Sequence, residues 1–138
     1  MTLIRRDPAR IAARAMADLA TEKEMAITSI NELVGKARQK YITTAPGQEM
    51  IYIAKEAEAK AWLKDLLPDP AAYPLLSAEV GVTAPTTWEL AQIWVNVAVY
   101  WRGIAAQIEG ARMRAIAAIE QAADTEQIAA IRAAFRPL

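Results

Sequence analysis

The chain predicts an all-α fold: an elongated antiparallel hairpin or bundle of three main helices, with a short fourth helix at the C-terminal end. Three observations carry this. Hydrophobic residues make up 54% of the sequence, and alanine dominates them, as in helical proteins. Apolar positions recur at alternating steps of four and three, the period of a helix face and not of a strand. Prolines and glycines gather between the periodic segments.

The first helix is expected over about residues 8 to 42. Asp7-Pro8 opens it, with aspartate as N-cap and proline at the first helical position. Ala12, Met16, Leu19, Ala26, Ile30, Leu33 and Ala37 share one face, and Lys23 is its one charged member. The break at residues 43–47 is short, so the second helix should fold back antiparallel. Thr44 is the expected cap and Pro46 falls in the first turn, while Glu49 complements the helix dipole. That helix should run over about 46 to 66. Met50, Ile53, Ala57 and Ala61 mark one face; Tyr52, Ala59, Leu63 and Leu66 mark another.

Residues 67–85 form a proline-rich connector, in which Pro68, Pro70, Pro74 and Pro85 prevent a long helix. A short helix fits from Pro74 to Val80, ended by Gly81. Tyr73, Leu75, Leu76, Val80 and Val82 are too apolar for a free linker. The connector is therefore either a lid over the end of the core or a loop that binds a partner. Thr86-Thr87-Trp88-Glu89 is a capping box and starts a third helix, over about 87 to 122. Its seam begins with Leu90, Trp94, Val97, Trp101, Ile104 and Ile108, and continues through Ala111, Ala115, Ala118 and Ala122. Bulky residues hold a partner helix away, and alanines let it approach. Asp124-Thr125-Glu126-Gln127 is a second capping box, opening a last helix over about 125 to 135. No repeat or charge block divides the chain, so it reads as one domain, residues 1–138.

Helices of about 35 residues are roughly 50 Å long at 1.5 Å per residue. A compact chain of this size has a radius of gyration of only about 14 Å. The first and third helices are thus too long for a globule, and their projecting seams call for partners. Homo-oligomerisation through the first helix, or through Ala111, Ala115 and Ala118, is expected.

Composition excludes more than it assigns. Lys+Arg and Asp+Glu both number 16, so no net charge draws the chain to nucleic acid or anionic membrane. There is no cysteine and no histidine, which removes disulfides, thiolate nucleophiles, histidine triads and the usual zinc and di-iron ligand sets. Glu56 and Glu58 point to different sides of one helix and face no second carboxylate cluster. No glycine-rich phosphate loop occurs. These readings predict a non-enzymatic protein without metal or cofactor. The N-terminus has no apolar stretch after its arginines, so no secretory signal is expected. The most apolar run, between Glu89 and Arg102, is too short to span a membrane. Trp94 and Trp101 belong to the seam; Trp88, in the first turn, is the tryptophan expected at a surface. Arg5, Arg6, Arg10 and Arg14 cluster at the N-terminal end, diluted by Asp7, Asp18 and Glu22, and read as a solvated helix face.

The stretch from Lys40 to Trp62 contains a Pro46-Gly47-Gln48-Glu49 turn and a Glu56-Ala57-Glu58-Ala59 helix. A connector ending in Glu79-Val80-Gly81-Val82-Thr83-Ala84 follows, then a tryptophan-bearing helix with Ala111-Arg112-Met113-Arg114-Ala115. This pattern, over about residues 30 to 132, resembles small helical proteins encoded among the tail and tail-fibre genes of tailed phages and prophages. The resemblance implies a virion or tail-assembly role, in the tail or in the host cytoplasm during assembly. It implies other tail or fibre proteins as partners, and no active-site residues. On that reading Tyr73, Leu75, Leu76, Val80 and Trp88 are candidate contact residues, with the 43–48 turn beside them. The alternative is a cytosolic helical adaptor or regulator that binds a partner protein and uses Arg10 and Arg14 for contact.

Overall fold

The computed structural model describes residues 6–42, 45 and 47–138. Regular structure among them is helical: α1 (Pro8–Gln39), α2 (Gln48–Lys64), α3 (Pro74–Glu79), α4 (Thr87–Gln121) and α5 (Thr125–Ala134). One 3-10 turn covers Pro70–Ala72, and Val80 and Ala84 form an isolated β-bridge. The all-α expectation is met. Among the described residues no helix is long and apolar enough to cross a membrane.

The helix starts follow local chemistry. Asp7 Oδ1 accepts from the Ala9 amide at 3.0 Å, and Thr86 Oγ1 accepts from the Glu89 amide at 3.2 Å. Asp124 Oδ1 accepts from the Gln127 amide at 2.8 Å, while Gln127 Oε1 accepts from the Ala123 amide at 2.8 Å. Each bond satisfies an amide that the helix leaves without a carbonyl partner. α2 starts differently. Gly47 precedes it at φ 79° with no side-chain cap. This left-handed conformation favours glycine and sets the first helical residue at Gln48. The expected cap at Thr44, and Thr43 and Pro46 beside it, lie outside the described residues.

The residues group into two compact units: Met1–Arg38 with Gln107–Leu138, and Gln39–Ala106. In the first unit, α1 buries Ala26, Ile30, Val34 and Ala37. Ile108, Ala115, Ile119 and Ala122 are buried from α4 and the turn after it, as are Ile128 and Phe135 at the C-terminal end. α1 and α4 run antiparallel here. Lys23 donates to the Glu120 carbonyl at 2.7 Å, Arg112 to Asn31 at 3.2 Å, and Arg38 to Glu109 at 2.7 Å. The buried α1 positions repeat at four, four and three, so Val34 takes the place expected of Leu33, which is exposed. On α4, Ile119 is fully buried and Ala118 is exposed.

The second unit is centred on Ala59 of α2, on Tyr73, Leu76 and Ala84 of the connector, and on Leu90, Ala91 and Trp94 of α4. Trp62, Leu63, Leu75, Val80 and Val95 pack around these. α2 turns its Ala59 and Leu63 side inward and leaves Met50 and Ile53 exposed. Fully burying a side chain such as Leu76 contributes about 1.5–3 kcal/mol.

Two substitutions should move stability in opposite directions. Leu76→Ala opens a cavity at a fully buried site and should cost about 2–5 kcal/mol. Gly103→Ala adds a methyl group that meets nothing within 4 Å beyond its chain neighbours and the backbone of its own helix, inside α4, and should add up to about 1 kcal/mol. Thermal and urea unfolding of both variants checks the pair.

Candidate functional site

The connector is ordered by α2. Pro74 opens α3, and a proline-led helix still leaves orphan amides in its first turn. Glu58 supplies the acceptor: its carboxylate takes the Leu75 amide at 2.9 and 3.1 Å and the Leu76 amide at 3.4 Å. A side chain of one helix thus does the work of an N-cap for another. Asp69 Oδ1 accepts from the Ala71 amide at 3.0 Å, and Ser77 Oγ donates to the Pro70 carbonyl at 2.8 Å. Gly81, at φ 87°, turns the chain after α3 and donates to the Ala84 carbonyl at 2.7 Å.

Ion pairs lock α2 to the rest of its unit. Lys55 Nζ meets Glu79 Oε2 at 2.6 Å and lies 4.8 Å from the centre of the Trp94 ring, a cation–π contact. Glu56 accepts from Lys60 at 2.6 Å and from Arg102. Hydrogen bonds from Lys60 and Arg102 hold the Glu56 carboxyl below its ordinary pKa. Burial pushes the Glu79 carboxyl up, but bonds from Lys55 and Thr83 with the Lys55 charge bring it below the ordinary value. In the other unit, Arg112 and Arg38 do the same to Glu109. The Tyr73 hydroxyl donates to Asp65 Oδ2 at 2.6 Å, and that carboxylate, with burial behind it, raises the tyrosine pKa.

The connector's candidate contact residues divide. Tyr73 and Leu76 are buried in the core, and Leu75 and Val80 pack against it, so this apolar surface is used inside the unit. The lid reading describes these four residues. Val82 stays outside, 82% exposed. Trp88 is 57% exposed and borders a shallow groove with Pro85, Gln92 and Ile93. Ile93, Val97 and Tyr100 continue along an exposed side of α4 that carries no charge between Glu89 and Arg102. Of the α4 alanines, Ala115 is buried, Ala111 half-buried and Ala118 exposed. In the 43–48 turn, Ala45 and Gly47 are exposed.

Arg10 and Arg14 lie on the part of α1 that its own chain leaves bare. From Arg6 to Thr21 every residue is exposed except Leu19, which is half-buried. Arg5 lies outside the described residues. The cause is the length of α4. Its last turn is held level with Lys23 by the bond to Glu120, and the α1 residues before Lys23 extend past it. Sequence reasoning missed Glu58 as a cap and Lys23 as a partner of the α4 carbonyl end. A lone charge on an apolar face was the available signal for Lys23; nothing in the sequence near Glu58 marks its target. Among the described residues no group of three or more aspartates and glutamates is placed to hold a metal ion. The chain matches no family model, no curated protein and no solved structure.

The carboxylates set an acid edge to stability. A carboxyl held below its unfolded value stabilises the fold above about pH 4.5, and that contribution is lost as pH falls through the lower folded value. Lys55→Met should therefore lose less stability than the parent chain between about pH 7 and 3, read by urea unfolding with tryptophan fluorescence. Tyr73 acts at the other end. Its raised pKa stabilises below about pH 10 and is lost as pH climbs through the folded value, so Tyr73→Phe should flatten the alkaline loss.

Proposed function

We propose that this chain is a non-enzymatic packing protein, a structural or assembly component associated with a phage or prophage tail, and that its helix surfaces are its working parts. The observation that carries the packing reading is the bare first half of α1. Ile11 is 52% exposed and Met16 73% exposed there, on four turns of helix that the chain's own helices leave uncovered. An isolated helix segment of that length is marginal in water. Here it extends from a packed segment, which fixes its direction and nucleates it.

The uncharged side of α4 at Ile93, Val97 and Tyr100 supports the same reading. Protein interfaces are depleted of charge at their centres and enriched in aromatic residues. The tail association rests on the sequence pattern over residues 30 to 132. The partners on this reading are other copies of the chain and other tail or fibre proteins.

Deleting the gene from the phage or prophage that carries it tests this. Loss of tailed particles, or particles with defective tails, is the expected result. Antibody detection in purified particles then separates the two roles: a fixed ratio to the tail proteins means a structural part, and absence means an assembly factor. Normal, infectious particles from the deletion strain would refute the proposal.

A further inference from the structure

The bare half of α1 carries an ordered row of charge. Arg10, Arg14, Asp18 and Glu22 follow one another at steps of four, which places them on a single inclined ridge of the helix. Arg10, Arg14 and Asp18 are exposed and Glu22 is half-buried. Among the described residues none of the four forms an ion pair, although Arg14 and Asp18 stand at a pairing distance in sequence. A basic residue four positions before an acidic one is the less favourable order on a helix, because both charges oppose the dipole. The row is basic in its first half and acidic in its second.

Such a row is its own complement. A twofold axis passing between Arg14 and Asp18 carries position 10 onto 22 and position 14 onto 18. We propose that two copies of this chain pair antiparallel through residues 7–25 of α1. Arg10 then meets the partner's Glu22, and Arg14 the partner's Asp18, with each contact made twice. Ile11, which is 52% exposed, falls opposite the methyl group of the partner's Thr21. Small residues on either side, Ala15 and Ala17, let the backbones approach. In a parallel pair like charges would stand side by side, so the row also sets direction. This inference rests on the packing reading above and names the occupant of one side of the same bare segment, the side of Ile11, which at about 100° per residue faces away from Met16.

Charge reversal tests it, because single-sign rows are incompatible with themselves and compatible with each other. The parent chain should self-associate with rising concentration in analytical ultracentrifugation, and the dissociation constant should rise about tenfold between low and high salt. Arg10→Glu with Arg14→Glu gives an all-acidic row, and Asp18→Arg with Glu22→Arg gives an all-basic one. Each double variant alone should be monomeric, and an equimolar mixture should associate. The quadruple variant, with the row inverted, should associate with itself as the parent does. Circular dichroism confirms that the variants keep their helix content. A mixture that stays monomeric, double variants that associate like the parent, or a parent chain monomeric at every concentration would each overturn the pairing. A parent chain monomeric at every concentration whose deletion still abolishes tails would remove self-pairing and leave the tail role standing; a normal deletion strain would remove the tail role and leave the pairing.

Discussion

Where α4 stops decides how much of α1 the chain covers for itself. The Lys23 ammonium binds the Glu120 carbonyl at 2.7 Å, close to the last residue of the helix. Carbonyls in a final turn lack intrahelical donors, and the dipole there is negative, so a lysine is the side chain suited to the place. Lys23 interrupts an otherwise apolar face, and its charge is satisfied by the end of the neighbouring rod. From that point toward the N-terminus α1 continues for about four turns, with Glu22 and Leu19 its half-buried residues. A longer α4 would have sheathed those turns, and a shorter one would have stripped Ala26 and Ile30.

The two units are held by different means. Residues 39–106 use large side chains, a tryptophan under a lysine, and carboxylates each bound to more than one partner. The other unit is lined by alanines and isoleucines, and its polar contacts lie along the groove between α1 and α4. Exposed ion pairs of the Arg38–Glu109 kind contribute little to stability. Their effect is on register: they favour one longitudinal position of two seams whose alanines would tolerate several.

The caps were legible in the sequence, and the burial pattern only in part. Asp7, Thr86 and Asp124 bond to amides two or three positions away, and so short a range leaves its mark in local spacing. Gly81 was legible for the same reason, since its left-handed backbone is a local demand. Burial is decided at longer range. A strict four-three pattern selects Leu33 and Ala118, whereas the helices turn Val34 and Ile119 inward, because bulk on the neighbouring rod fixes the rotation of each seam. Tyr73 and Leu76 showed in composition that the connector is not a free linker. Whether they would cover this chain or another depended on Glu58, whose target lies 17 residues away.

That bond has a consequence for how the proline-rich segment opens. Six residues of helix do not persist unaided, and the amides at the head of α3 are held by a carboxylate anchored on α2. Leu76 meanwhile sits at the centre of the core. Connectors of this composition are ordinarily where proteases cut and where hydrogen exchange is fast. This one shares its unfolding with α2, so its backbone is released to solvent when the whole unit comes apart and not by local breathing.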